Sequence, residues 1–385
     1  MDKKTAGRDP GNTKEPGKSG GRRRSRKKPL WYRIFMIVAA VIIFILLGTI
    51  AYAYHLMSLV NYDPGTIPDS SEPGTEFFAT VENPEDYTDR PVASMDMDTE
   101  HEGDGRSEPG IYNILLMGLD KDSGNLSDSM IVVTVDINKK AIKLTSFMRD
   151  ILVPIPGHSP NQLNVVFRTG GFELVQEVFA KSFDLHLDGY VSVNYSELTK
   201  VIDKLGGVSV YMTETEAEYL NTSNYIADPQ YRNLEVYTGM HWLNGAQATG
   251  YSRVRFVSKG NEADDFARTS RQRQVLNAIY DQFRTRSLAD LLSLMEDVLP
   301  NVTTSLTIPE MTEIATKAVA AGVLSSDMEQ LRIPLNELHK NAYYEKMLIL
   351  DIDFEENTKV VHRFIFGDAE GDEDGDKPEI SAGSP

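Results

Sequence analysis

The sequence predicts an α/β fold: a layered α/β/α domain with a central mixed sheet flanked by helices, on a single N-terminal transmembrane helix. Three observations predict it. Residues 34–54 carry no charged side chain. Beyond residue 111, apolar runs of strand length and rich in β-branched residues recur. Between those runs lie segments whose apolar residues fall at helical spacing, so helices alternate with strands and cover a sheet.

The uncharged run is the first element. Its 21 residues, at about 1.5 Å each, span roughly the 30 Å hydrocarbon core of a bilayer. Twelve Lys or Arg against three acids precede it, among them Arg22-Arg-Arg-Ser-Arg-Lys-Lys28. The positive-inside rule therefore places the N-terminus in the cytoplasm and everything after Tyr54 outside, as in a single-pass protein of the cell membrane. A cleaved signal peptide is the competing reading. The length of the run and the flank Tyr52-Ala-Tyr-His-Leu56, a poor small-residue cleavage site, argue against it. Beside a span, the basic arm 1–33 reads as an orientation signal in contact with anionic lipid, so no nucleic acid is expected as a partner.

The chain is acidic, at formal net charge −18 over 385 residues, and has no cysteine. That absence excludes disulfides, thiolate catalysis and thiolate zinc sites. Residues 55–110 hold fourteen acids, two arginines and repeated Pro, Gly and Ser, the composition of an acidic disordered stalk, and residues 367–385 form a similar tail. The folded part runs from 111 to 366, with its motifs in 111–285 and a C-terminal part, 286–366, of the same fold.

Within it, Asn113-Ile-Leu-Leu-Met-Gly118 and Met130-Ile-Val-Val-Thr-Val-Asp136 are strands, and Ala141-Ile-Lys-Leu-Thr-Ser-Phe147 alternates with period two. Lys139-Lys140 reads as the turn of a hairpin joining the last two. Phe172, Val175, Val178 and Phe179 mark one helix; Leu198, Val201, Ile202 and Leu205 mark a second, closed by Gly206-Gly207. Val208-Ser-Val-Tyr211 returns to strand. Tyr251-Ser-Arg-Val-Arg-Phe256 is strand-like, which would put Arg253 and Arg255 on one face about 7 Å apart. From Phe266 the pattern is helical, capped by Asp264 or Asp265. Helices at 287–299 and 308–321, strands near 330–334 and 347–352, and a last helix ended by Gly367 complete the order.

Charge points to chemistry. A protein this acidic repels phosphate unless it gathers cations locally, and arginines gather at Arg253, Arg255 and Arg268, with Gln272 one turn beyond Arg268 on a helix whose N-terminus favours anions. Singly, these read as a solvated strand face and an exposed charged helix; the short join between them brings both to one cleft. Asp120 and Asp128 flank a Gly-containing loop after the first strand. They are either ordinary turn residues or a pair of carboxylates of the kind Mg2+ takes together with phosphate and water. Arg149 and Asp150 close the third strand, within reach of the cleft or as a strand-end ion pair. Arg271 and Arg273 are left as solvated side chains. For an apolar ligand tail, the helix faces at 172–183 and 196–205 are candidates, although core packing explains each of their residues as well. No Gly-x-x-x-x-Gly-Lys-Ser/Thr, Gly-x-Ser-x-Gly or His-Glu-x-x-His pattern occurs, which disfavours nucleotide hydrolysis, serine hydrolysis and zinc proteolysis.

The ordered motifs Asn113 to Asp120, Ser127-Asp128-Ser129, Arg149-Asp150, Asp188-Gly-Tyr-Val-Ser-Val-Asn194, Asp203-Lys-Leu-Gly-Gly-Val208, Gly239-Met-His-Trp-Leu-Asn-Gly-Ala-Gln247, Tyr251 to Arg255 and Asp265 to Gln274 resemble the LytR-CpsA-Psr family. The resemblance covers 111 to about 280 closely and the remainder to 366 more loosely. It implies a membrane-anchored, Mg2+-dependent (alternatively Mn2+-dependent) phosphotransferase with its catalytic domain at 111–285. Such an enzyme moves an anionic glycopolymer, of teichoic acid or capsule type, from a polyprenyl-pyrophosphate carrier to N-acetylmuramic acid of peptidoglycan. By the same resemblance Asp120 and Asp128 match metal-binding aspartates, and Arg149, Arg253, Arg255, Arg268 and Gln272 match pyrophosphate-binding groups. Asp265 and Arg268 are the catalytic candidates, Asp265 steering Arg268 or assisting the metal. The general base is Asp265 or a metal-bound hydroxide. Three positions depart from the pattern: Leu126 and Met148 stand where Arg and Pro are common, and Val165 where His is frequent. The alternatives are a polyprenyl-pyrophosphate phosphatase and a non-enzymatic lipid-binding regulator, the older label being transcriptional attenuator.

Overall fold

The computed structural model describes residues 48, 50–66, 103–120, 124–260, 262 and 264–367. Two compact units divide the chain, Met1–Ala51 and Tyr52–Pro385; of the first, only Gly48, Ile50 and Ala51 are described, all helical. Among the described residues no helix is long and apolar enough to cross a membrane. The expected arm, most of the expected span, stalk residues 67–102 and the tail 368–385 lie outside them.

The second unit begins with a helical turn over 52–57 and the short strand β1 (Asn61–Tyr62). Then come β2 (Ile111–Asp120), β3 (Leu126–Asp136), β4 (Ala141–Phe147), β5 (Leu152–Val153), β6 (Asn161–Gln162) and the helix α1 (Val166–Phe183). They are followed by β7 (Gly189–Asn194), α2 (Tyr195–Lys204), β8 (Val208–Met212), α3 (Glu214–Thr222), β9 (Gly239–Leu243), α4 (Gly245–Arg253) and α5 (Asp264–Arg284). The C-terminal part adds α6 (Leu288–Val298), β10 (Thr303–Thr304), α7 (Ile308–Ala321), β11 (Met328–Ile333), the hairpin β12 (His339–Tyr344) and β13 (Met347–Ile352), and α8 (Phe354–Phe366).

Among the described residues the main sheet has seven strands in the order β1-β10-β7-β2-β3-β4-β11. It is mixed: β2, β3 and β4 form antiparallel neighbours, whereas β7 runs parallel to β2 and β11 parallel to β4. The predicted hairpin between β3 and β4 is present, with Lys140 at φ 55° in its turn.

The two faces of β2 differ, and that difference positions the site. Ile111, Leu115, Met117 and Leu119 point into the main core with Val175, Phe179 and Phe183 of α1 and Val361 and Ile365 of α8. The opposite face, which carries Leu116 and Gly118, is only half-buried. There α2 and α5 cover the sheet, and a second core (Ile202, Val210, Leu220, Tyr251, Val275) lies among α2 to α5, β8 and β9 rather than against the strands. One layer is packed; the other leaves space over the sheet.

Two expectations are corrected. Residues 251–253 are helical, the last turn of α4, because Asn244 and Gln247 form a capping box that starts a helix before the arginines are reached. Arg253 therefore ends a helix and Arg255 follows in a loop, so the pair do not share a strand face. Second, both described ends of the supposed stalk are folded: Leu56 is buried, Asn61 and Tyr62 pair with Thr303 and Thr304, and Arg106 bridges to Leu185. The apolar face of α1 at 172–183 belongs to the main core, in line with the core-packing reading of those residues.

Candidate functional site

A β-bulge starts the site. Gly118 pairs with Ser129 and Leu119 with Ser127, so Asp128 is the extra residue between them and its side chain is re-aimed out of the ladder. Asp120 lies across from Leu126 at the same end of the β2–β3 ladder.

Three arginines from three elements converge on the re-aimed carboxylate. Arg149, two residues past β4, reaches Asp128 Oδ1 at 2.6 Å; Arg268 on α5 lies 3.6 Å from that oxygen and Arg255, in the loop after α4, 3.9 Å. Asp128 Oδ2 accepts a hydrogen bond of 2.8 Å from the Tyr195 hydroxyl. Asp265, in the first turn of α5, completes the cluster: Arg268 Nη2 donates to its Oδ2 at 2.9 Å, while Arg149 and Arg255 stand 3.6 and 3.7 Å from its Oδ1. The contact through which Asp265 would steer Arg268 is thus present. Arg253 takes another role, its guanidinium stacked 4.5 Å from the centroid of the Tyr195 ring.

Burial alone would raise the Asp128 carboxyl, but Arg268, Arg149, the Tyr195 hydroxyl and Arg255 together hold it below the usual carboxylate range. Asp150 moves the other way: burial pushes it up and Asp265 adds to this, against the pull of Arg149. Arg255 is lowered, first by burial and then by the like charges of Arg268 and Arg149. Against the effect of burial, Asp150, Asp265 and Asp128 raise Arg149, so the aspartates neutralise the arginines unevenly.

The unpaired atoms carry the same message. Among the described residues, Arg149 Nε and Arg268 Nε and Nη1 are buried donors without a hydrogen-bond acceptor. Arg268 itself is 1% exposed. Buried donors in native structures are nearly always satisfied, and guanidinium forks match phosphate and carboxylate oxygens. The arrangement fits an anion with several oxygens.

An apolar cavity adjoins it on the half-buried face of the sheet. Leu116, Val193, Leu198, Val275 and Leu276 line it, and Asp128, Tyr195 and Gln272 stand in its wall. Of the two helix faces expected to form a sleeve, only the one holding Leu198 contributes.

Asp128, Arg149, Arg255, Asp265 and Arg268 are thus tied to one another by contacts, and Gln272 lines the adjoining cavity. Arg253 joins through Tyr195, which sequence reasoning missed although it directly follows the Asp188 to Asn194 motif. Arg271 and Arg273 are not solvated. Arg271 is fully buried; its Nε donates to Glu216 Oε1 at 2.9 Å, and its Nη1 and Nη2 hold the carbonyls of Val254 and Val257 at 3.1 and 2.6 Å. Arg273 is half-buried, and desolvation pushes it down to about 10 despite Glu262 nearby.

For a metal, the donor chemistry at the β2–β3 end is all oxygen, which suits Mg2+ or Mn2+ in combination with phosphate and water. Among the described residues no group of three or more His, Asp or Glu forms a cage. Two carboxylates, Asp120 and Asp128, match in number the smaller protein share that Mg2+ takes, with Asp128 Oδ1 held here by Arg149 at 2.6 Å.

A family model described as the LytR_cpsA_psr family matches residues 79–359. Among curated proteins, the chain is 29% identical over 244 residues to the polyisoprenyl-teichoic acid–peptidoglycan teichoic acid transferase TagV of Bacillus subtilis, covering 60% of each. It is 31% identical over 217 residues to biofilm regulatory protein A of Streptococcus mutans (52% of this chain, 51% of that protein). With regulatory protein MsrR of Staphylococcus aureus it shares 32% over 183 residues (46% and 51%). The matches thus span 51 to 60% of the length of these relatives. Among solved structures that share the fold are B. subtilis TagV (TM-score 0.51, 24% identity, 68% of this chain and 100% of that one) and TagT bound to LIIa-WTA (0.53, 21%, 71% and 99%).

Proposed function

The chain belongs to the LytR_cpsA_psr family, and from that premise we propose that it is a phosphotransferase of the cell envelope. In this reading it moves an anionic glycopolymer of teichoic acid or capsule type from a polyprenyl-pyrophosphate carrier to peptidoglycan. The observation that carries the reading is the set of three buried guanidinium nitrogens of Arg149 and Arg268 that complete no hydrogen bond among the described residues, two of them only ion-paired, beside an apolar cavity. A polyprenyl pyrophosphate has both halves that such a site requires, a doubly phosphorylated head and a hydrocarbon tail. The name of the TagV relative supports the same class of substrate.

The residues divide the work. Arg149, Arg255 and Arg268 bind and orient the two phosphates and neutralise charge as it develops, with Arg253 and Gln272 at the edge of the head site. The acceptor hydroxyl oxygen bonds to the phosphorus that carries the glycan; the bridging P–O bond breaks, and polyprenyl phosphate leaves. The proton passes to Asp265, whose Oδ1 is buried without a hydrogen-bond partner. Mg2+ held by Asp120 and Asp128 would add Lewis-acid charge to the phosphates. The uncharged run 34–54, after its basic arm, would anchor the chain in the cell membrane with the domain outside.

The test is transfer of labelled polymer from a lipid pyrophosphate donor to peptidoglycan in the presence of Mg2+. Wild type should transfer, and Arg268→Ala should lose at least about 100-fold, the scale of removing a preorganised charge-stabilising donor. Phosphate release independent of acceptor would replace the reading with a phosphatase. The regulator names of two relatives keep a second reading in view; Arg255→Ala with intact envelope function would favour it.

A further inference from the structure

Tyr195 stands where the charged head site meets the apolar cavity, and its two ends do different things. Its hydroxyl donates to Asp128 Oδ2 at 2.8 Å, which leaves Oδ1 as the oxygen on which Arg149, Arg268 and Arg255 converge. Its ring carries Arg253, 4.5 Å from the centroid. No ion pair or hydrogen bond from the Arg253 side chain is found among the described residues, so the ring is the contact that orients it. The same residue lines the cavity with Leu198 and Leu276.

The backbone fixes where this side chain sits. Tyr195 is the first residue of α2, directly after the end of β7, and Asn194 and Glu197 lock that junction in a capping box. The ring cannot drift without moving the strand end next to β2. A tyrosine is suited to the position because its flat, phenolic side chain offers a π-face to a cation and, at the far end of the ring, a donor to a carboxylate.

We propose that Tyr195 is a positioning residue for the pyrophosphate head: its ring aims Arg253 at the ligand, and its hydroxyl turns Asp128 so that the other arginines share a single oxygen. The proposal rests on the pyrophosphate reading of the site. Leucine at this position would still pack the cavity wall but would leave Arg253 without a platform. Phenylalanine would keep the platform and lose the bond to Asp128.

The experiment uses the full chain in nanodiscs and measures binding of geranylgeranyl pyrophosphate to wild type, Tyr195→Phe and Tyr195→Leu, each also in an Arg253→Ala background. With Arg253 present, Tyr195→Leu should bind about 5- to 10-fold more weakly than Tyr195→Phe, the scale of a partly desolvated cation–π contact. With Arg253→Ala the two variants should bind alike, since residues acting through one another are non-additive. Thermal unfolding of each variant separates binding loss from misfolding. If Phe and Leu differ equally in both backgrounds, or do not differ at all, Tyr195 is cavity packing only and the proposal falls. Wild type that fails to bind the probe would instead overturn the pyrophosphate reading on which it rests.

Discussion

Single residues in this protein are decided by which charges burial brings together. Arg253 and Arg255 stand two apart in the chain yet do different things, one stacked on Tyr195 and the other beside Asp128 and Asp265. Their residue type was legible as phosphate chemistry; their division of labour was not, because it depends on a helix ending between them. Away from the site, His362 offers a clean titration. Burial holds its imidazole below the ordinary value and Arg106 adds to this, while the carbonyl and carboxylate of Asp184 pull the other way. The fold thus prefers the neutral ring, so its contribution to stability is complete above the unfolded value of about 6.5 and is lost as pH falls through the lower folded value. Denaturant midpoints should show wild type losing stability relative to His362→Gln between about pH 7 and pH 5; parallel curves would remove His362 as the titrating group.

At the scale of elements, the loop that carries Arg255 is held from behind by α5. Arg271 grips the carbonyls of Val254 and Val257, on either side of Arg255, and is itself neutralised by Glu216, which caps α3. Lys259 and Tyr251 close the network, with Lys259 Nζ donating to the Tyr251 hydroxyl at 2.8 Å. This strut was invisible in the sequence, since Arg271 lies in the same basic stretch as Arg268 and nothing in residue type separates them. Helical spacing does not separate them either, since residues three apart on α5 lie on one side of the helix; their partners do, Asp128 and Asp265 for Arg268 and Glu216 for Arg271. Removing one partner of a fully buried pair leaves the other charge uncompensated, so Arg271→Met should destabilise the domain by about 3–5 kcal/mol, measured by chemical denaturation. A cost below about 1 kcal/mol, the value of a surface pair, would show that the pair is not a strut.

Across the whole domain, the segment after residue 52 is stitched to the far edge of the sheet. Asn61 and Tyr62 pair with β10, Tyr190 donates to the Asp63 carbonyl at 3.2 Å, and Phe172 N–H bonds to the Gly65 carbonyl at 2.9 Å. Gly65 has φ +87°, and a Cβ there would lie 2.4 Å from Phe172 Cβ. Gly65→Ala should therefore cost about 1–3 kcal/mol through strain and overpacking, seen as a lower unfolding midpoint; an unchanged midpoint would mean the stitch does not hold. The sequence by itself determined β2 to β4, α1, α2, β8, α5 to α8, β11 and β13, and it named the arginines, aspartates and Gln272 as candidates, because periodicity and residue chemistry are local properties of the chain. It misread residues 55–66 because acidic, Pro- and Gly-rich composition averages over a segment, and a few backbone pairs with a distant strand outweigh that average. Only the tertiary structure decided that Asp128 sits in a bulge, that Tyr195 joins the cluster and that Arg271 faces inward. Each of these depends on register or on partners far apart in sequence, and so on which side chains folding brings within a few ångströms of one another.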